Sequence, residues 1–385
     1  MQILSRHEAQ RPAAGRLPGL RWACRGSELP SWHRPTILQG PACNNRGDRP
    51  DNACGPFPTL PLPHSFARKS DPMATYLEEL TLRLAQGMNL MPEPQRARHA
   101  QFLLARQNPD GGFSGREGGS DLYYTGFALR GLAILGELHG EVAEKAAAFV
   151  RSRLGGQEAI IDLLSLLYSV MLLETAAGVA PLADIPPGWQ QRVATEFEKF
   201  RREDGGYAMT SEGHSSSTYY TFLMLLSLQL LGVEPPEPER IVRFVQSRRR
   251  DDGGFVEIGP MKRSGTNPTA AAIGTLKILG AIDDEVREGV LDYICERQND
   301  EGGLAANTRI PFADVLSTFT GLLTVTDLNA AHELDLPDVR KFVESNESPE
   351  GGFRAGLLDE VEDVEYTFYG LGATALLNLA QGEPS

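Results

Sequence analysis

Six Gly-Gly pairs fall at a near-constant interval along the chain, at Gly111, Gly155, Gly205, Gly253, Gly302 and Gly351. The intervals are 44, 50, 48, 49 and 49 residues. A period of this length means a stack of like units, none of which can bury its apolar face alone. Five copies read QNPDGGF, RREDGGY, RRDDGGF, QNDEGGL and SPEGGF. Each pair ends an acidic or polar turn, where glycine accepts positive φ and lets the backbone pass close to its neighbour.

The apolar spacing differs on the two sides of the turns. Val193, Phe197 and Phe200 recur at helical intervals before the third pair, with Glu196, Glu198 and Lys199 between them. Ile241, Phe244 and Val245 do so before the fourth pair, and Val339, Phe342 and Val343 before the sixth. This predicts amphipathic helices with one buried stripe. Residues 218–231 and 266–279 follow the turns and are apolar or small almost all round. Such helices are expected to be buried on every side. Each unit then has an outer amphipathic helix, a turn and an inner buried helix.

Units of this kind stack as an open solenoid or close into a ring. An open concave face would leave the apolar inner helices in water. The pattern therefore favours an all-α fold, a double-layered α/α toroid of about six helix hairpins. In that ring the loops and first inner turns rim one mouth of a central cavity.

Charge divides the chain. The formal net charge is −14, yet residues 1–72 hold ten Lys/Arg against five Asp/Glu. Three of the four cysteines, Cys24, Cys43 and Cys54, lie in that Arg- and Pro-rich segment. It lacks periodicity and an apolar core of the kind a secretory signal needs. Residues 1–72 are expected to be a disordered or targeting extension, or to precede a true start at Met73. Residues 73–385 suffice for one large domain. Their single cysteine, Cys295, rules out a disulfide framework there. No run reaches the roughly 18–20 apolar residues of a membrane span. The acidic balance argues against nucleic-acid binding. The expectation is a soluble, cytoplasmic protein.

Aromatic residues gather where the inner stretches begin: Tyr123, Tyr124 and Phe127; Tyr219, Tyr220 and Phe222; Phe319; Tyr366, Phe368 and Tyr369. A closed ring would converge them on one cavity suited to a long apolar or polyene ligand, or to a carbocation. Singly, each also reads as a packing residue. The same places supply Asp121, His214, Arg263, Arg309, Asp314, Asp363 and Glu365. Lys262 and Arg263 are placed for an anion or diphosphate, and equally for water. Asp314 also reads as a helix N-cap. Phosphate-loop, H-E-x-x-H, C-x-x-C and G-x-S-x-G motifs are absent. The acidic turns lack the EF-hand spacing.

These residues resemble the β subunits of protein prenyltransferases, especially the Rab geranylgeranyl transferase type, within the terpenoid cyclase and prenyltransferase toroid superfamily. CERQNDEGGL (residues 295–304), Asp314-Val315 and EYTFYGLGATALL (residues 365–377) carry the resemblance. It implies binding of an isoprenoid diphosphate, geranylgeranyl or farnesyl, transfer of the prenyl group to an acceptor, and an α-type partner subunit. Tyr123, Tyr124, Tyr219, Phe319, Tyr366 and Tyr369 would line the substrate, with Asp314 in the catalytic position.

The family's zinc is held by an Asp, a Cys two residues later and a His in the last repeat. Here those positions are Asp314, Leu316 and Tyr366. No cofactor is therefore expected, zinc included, unless Asp363 or Glu365 supplies other ligands. The family's diphosphate-binding Arg and Lys fall at Thr308 and Pro311, with Arg309 one place from the first. Its tyrosine after the Cys is Ser317. Its histidine falls near Arg263, or at His214 in SEGH one repeat earlier. Arg263, Arg309 and His214 are the diphosphate candidates. A non-catalytic toroid binding a lipid or peptide is the alternative. A cyclase relative is disfavoured by the missing D-x-D-D acid motif and by Trp189 being the sole tryptophan after Met73.

Overall fold

Thirteen α-helices lie among the residues that the computed structural model describes, 74–154 and 160–382, and all but the first alternate between two layers. The expected extension 1–72 and the Gly155 turn lie outside those residues. In chain order the helices are α1 (Tyr76–Met88), α2 (Glu93–Leu104), α3 (Leu122–Leu135), α4 (Gly140–Ser152), α5 (Ile160–Ala177) and α6 (Trp189–Phe197). There follow α7 (Thr218–Leu231), α8 (Pro238–Gln246), α9 (Thr266–Ile278), α10 (Asp284–Cys295), α11 (Val315–Asp327), α12 (Leu336–Ser345) and α13 (Val364–Gly382). The only paired strands described are β1 (Tyr207–Ala208) and β2 (Ser216–Ser217), antiparallel with Tyr207 opposite Ser217.

The odd-numbered helices from α3 to α13 form the inner layer. Each packs on the next, and α13 packs back on α3. The even-numbered helices lie outside them. Ile241, Phe244, Val245, Val339, Phe342 and Val343 are buried as the stripe pattern predicts. In α6 the stripe is rotated: Ala194 and Phe197 are buried, while Val193 and Phe200 are half-buried. The helix gives way to a 3-10 turn at Glu198–Phe200, which swings Phe200 off the α-helical face.

The repeated turn is a hydrogen-bonded device. The acid before the glycines accepts the second glycine's N–H, Gly112 to Asp110, Gly206 to Asp204 and Gly254 to Asp252, at 3.1, 3.1 and 3.2 Å. The same carboxylates accept the hydroxyls of Ser120, Ser216 and Ser264. The residue after the glycines donates its N–H to a threonine in the first turn of the inner helix. The pairs are Phe113–Thr125, Tyr207–Thr221, Phe255–Thr269, Leu304–Thr318 and Phe353–Thr367. Buried backbone donors are thereby satisfied by side chains of the inner helices.

The turns also join one unit to the next. Gly253 has φ +82°, and a Cβ there would lie 2.0 Å from the carbonyl oxygen of Gly289 on α10. Only glycine permits both the conformation and the approach. Gly351, in the last turn, makes the same approach to Arg98 on α2, the first outer helix. At that seam Gly352 donates to Nδ1 of the fully buried His99 at 3.0 Å, and His99 stacks on Phe353. Arg98 and Gln95 reach Glu347 across it. The ring is closed by the same contact that propagates it.

The first helix, α1, lies across the end of the ring where the inner helices terminate. Tyr76 donates its hydroxyl to Asp327 at 2.7 Å, and Arg83 and Lys277 donate to the same carboxylate. The Tyr76 N–H donates to Gln229, and the hydroxyls of Thr81 and Tyr168 are 2.7 Å apart. Gly87 passes against the backbone of Ala375, and α1 packs on α3 as well. With α5, α7, α9, α11 and α13 reached by these contacts, α1 forms a floor. Arg83 and Lys277 also suit the negative ends of the inner helices.

Candidate functional site

Opposite that floor, the starts of the inner helices carry aromatic side chains into the lumen. Each start is fixed by a cap. Asp121 accepts from Tyr124 N–H, Ser217 from Tyr220 N–H, Asp314 from Ser317 N–H and Asp363 from Tyr366 N–H. The caps set the rotation of the first turn, and therefore which rings face inward.

Seven of the rings converge, Phe368 among them at 5.7, 5.8 and 5.8 Å from Phe127, Phe319 and Tyr369. Tyr123 meets Tyr124 and Phe127 edge-on, with centroids 5.2 and 5.0 Å apart. Phe127 meets Tyr369 at 5.2 Å, and Tyr369 meets Phe319 at 5.6 Å and Tyr366 at 6.3 Å. Helices α3, α11 and α13 thus share one aromatic wall. Tyr219 faces it from α7, and its phenol is pushed up by burial and by the neighbouring Tyr220. Phe222 departs from the expected mouth cluster. It packs against Gly274 and meets Tyr76 edge-on at 5.8 Å, next to the floor.

Two charged side chains enter this apolar interior. Glu365 is buried and accepts the Tyr123 hydroxyl at 2.8 Å. Arg130, on the lumen side of α3, lies over Tyr168, Phe127 and Phe368, at 4.5, 4.8 and 5.9 Å from their ring centroids. Sequence inspection passes over Arg130, because one arginine in an apolar helix reads as its solvated edge. The three-residue spacing from Phe127 was the available signal.

The rim candidates stay on loops. His214, Arg263 and Arg309 are exposed. Arg309 uses its backbone N–H to close a turn on Asn307. The structure does not bring these three into the aromatic cluster. A rim arginine that sequence inspection missed, Arg116, spans the seam to Asp359 and Asp363.

Asp314 does cap α11. One oxygen accepts Ser317 N–H and the other accepts Ser317 Oγ–H, both at 2.7 Å. Burial pushes its carboxyl up to about 6, against the pull of the Ser317 hydrogen bonds. Its charge and that of Glu365 help burial raise the Tyr366 phenol. Asp314 and Tyr366 are therefore neighbours, as the family's zinc positions require, but the set does not fit a metal. Leu316 is buried and has no donor atom. Both Asp314 oxygens are engaged, and Tyr366 is held in its neutral form. Among the described residues no three His, Cys, Asp or Glu side chains are grouped to hold a metal. Asp363 is spoken for by Arg116 and the α13 cap.

The family model for the prenyltransferase alpha-alpha toroid domain matches residues 58–159 and 164–383. The chain belongs to this family. Among solved structures, this prenyltransferase-family toroid is similar to Candida albicans protein geranylgeranyltransferase-I complexed with GGPP, at 14% identity and a TM-score of 0.57. That match covers 78% of this chain and 92% of the other. A type II terpene cyclase from Scytonema, in complex with geranylgeranyl dihydroxybenzoate, is similar at 12% identity and a TM-score of 0.53. There the coverage is 79% of this chain and 99% of the other. The GH76A alpha-1,6-mannanase from Salegentibacter is similar at 11% identity and a TM-score of 0.51, covering 78% and 98%. Such identities speak to the fold alone, and the mannanase shows how far chemistry varies on it. No curated protein sequence matches the chain. Among the described residues no helix is long and apolar enough to cross a membrane.

Proposed function

We propose that this toroid binds an isoprenoid diphosphate, geranylgeranyl or farnesyl, in its lumen, as a diverged relative of the Rab-type prenyltransferase β subunits. The observation that carries the reading is the continuous aromatic wall from Tyr124 through Tyr123, Phe127 and Tyr369 to Phe319. Ring faces and edges suit an unsaturated chain and any positive charge that develops along it. The α1 floor makes the lumen blind at one end, so a chain would enter from the loop side. The geranylgeranyl ligands named for two similar toroids support the same ligand class. Transfer of the prenyl group to an acceptor would fall beside Asp314, with a cytoplasmic location and an α-type partner following the family's pattern.

A second reading is favoured by a specific observation. Leu316 removes a zinc ligand, and Asp314 is committed to its helix cap. A toroid that only binds lipid or peptide needs neither, so a non-catalytic binder fits these positions directly.

Calorimetric titration with geranylgeranyl and farnesyl diphosphate tests the common core of both readings. Saturable binding is expected, weakened about tenfold or more by Phe319→Ala, since burying a phenyl group contributes about 1.5–3 kcal/mol. A folded protein that takes up neither diphosphate would remove the isoprenoid reading. Turnover of labelled diphosphate with a candidate acceptor separates enzyme from binder.

A further inference from the structure

The last turn keeps the backbone of the others and changes its side chains. In every described turn the residue four before the second glycine donates its N–H to that glycine's carbonyl. The pairs are Asn108–Gly112, Arg202–Gly206, Arg250–Gly254, Asn299–Gly303 and Ser348–Gly352. In the first four, the side chain at this position is long and reaches the loop that follows. Asn108 donates to Ser120 Oγ and Asn299 to the Pro311 carbonyl, both at 2.9 Å. The guanidinium of Arg202 donates to the carbonyls of Thr210 and Ser211, and that of Arg250 to those of Gly259 and Met261. Ser348 is too short to do this. It is only 8% exposed, and its hydroxyl meets no hydrogen-bond partner among the described residues.

Two further changes face that serine. In three earlier units the turn acid accepts a serine hydroxyl from the loop: Asp110 from Ser120, Asp204 from Ser216 and Asp252 from Ser264. In the last unit both positions are acids, Glu350 and Glu362. The Gly352 N–H goes to His99 rather than to the turn acid. Glu350 is left exposed, with no ion pair or hydrogen bond among the described residues. Ser348, Glu350 and Glu362 together line a cavity of about 330 Å³, closed on the other side by Phe102 on α2 and by Arg106 just beyond it. That is the small end of ligand pockets. The Arg106 guanidinium lies over the Phe102 ring, donates to the Phe102 carbonyl and feels the charge of Glu362. One arginine faces two glutamates, so the cavity keeps one negative charge in excess.

We propose that this seam cavity receives a guanidinium group, presented by an arginine side chain of a partner protein. Two carboxylates and a free hydroxyl are acceptors on different sides of it, which suits a planar fork of donors better than a compact ammonium. Arg202 and Arg250 supply that group from within their own units, and the last unit takes it from outside. None of these residues belongs to the aromatic wall, so the site is separate from the lumen.

The probe is the tripeptide glycyl-arginyl-glycine, blocked at both ends, added to the full chain and followed by saturation-transfer NMR. Saturable millimolar binding is expected of so small a ligand. It should weaken about tenfold when citrulline, the neutral isostere, replaces arginine, and by less when lysine does. Glu350→Gln/Glu362→Gln is expected to cost the arginine peptide about tenfold. Ser348→Arg fills the cavity from within, as Arg202 and Arg250 serve their own turns, and is expected to exclude the peptide and melt no lower than the wild type. Equal binding of the citrulline peptide, no saturable binding of the arginine peptide, or undiminished binding by both variants would each overturn the proposal. Binding of free arginine but not of the blocked peptide would overturn the protein partner and leave a small guanidinium ligand. If Ser348→Arg does not fold, the double glutamine variant decides, and undiminished binding there overturns the proposal. Uptake of geranylgeranyl diphosphate is expected to match the wild type in both variants, so failure at the seam is distinct from failure in the lumen.

Discussion

Asp314 illustrates how one residue can serve the fold and strain it at once. Its carboxyl is pushed up to about 6 from an ordinary value of 3.8. The unfolded chain therefore gives up this proton at lower pH than the folded one. Stability linked to Asp314 is present below about pH 4 and is lost as pH rises from there to about 6. Asn caps a helix as well as Asp does and carries no charge. Asp314→Asn is thus expected to gain about 2–3 kcal/mol on the wild type between pH 4 and 7. Paired denaturant titrations at the two pH values check it, and equal differences at both would show that the carboxylate is not penalised by burial. The cap was legible, because an acid standing before an apolar run is a common helix start. The ring cluster was legible too, since Tyr123, Tyr366, Phe319 and Tyr369 all fall within six residues of such a start. Arg130 was not. Periodicity reports which side of a helix is buried, whereas the rings that meet its guanidinium come partly from helices α5 and α13, far away in sequence.

At the scale of elements, the turn matters more than the helices it joins. The sequence-derived stretch 218–231 coincides with α7, because a capping serine and a glycine at positive φ bracket an apolar run. The α6 stripe was misread because it assumed α-helical rotation through a 3-10 turn. The interior threonines went unnoticed, since a threonine among apolar residues looks like filler. Thr269 in fact receives the Phe255 N–H at 2.9 Å, with both residues buried. Thr269→Val keeps the shape and removes the acceptor. A loss of about 1–3 kcal/mol is expected, measured by thermal or urea unfolding. Gly253→Ala should cost more, about 3 kcal/mol or above, because positive φ and a backbone clash act together. A Gly253→Ala protein as stable as the wild type would mean that the turn does not anchor on α10.

For the whole molecule, closure was inferable and its execution was not. Inner helices without a polar face demand a ring, but nothing local says that α1 will lie across its end. An amphipathic helix announces one buried face without naming what covers it. The seam was equally hidden, since it joins residues 95–102 to 347–353. Phe102 is buried there under the second glycine of the last turn, with the Arg106 guanidinium 3.3 Å above its ring. Phe102→Ala is expected to cost about 3–5 kcal/mol, and to leave the protein more easily cleaved between α2 and the last turn in limited proteolysis. An unchanged melting temperature would mean that the ring holds without this contact. The seam also sets an order of events during synthesis. The first outer helix leaves the ribosome some 250 residues before Gly352, the donor to its buried His99. Until the last repeat arrives, α2 has no permanent neighbour on that side, and the nascent chain carries an unfinished edge. A contact of such high sequence separation is slow to form, and an edge left open for that long is exposed to other chains.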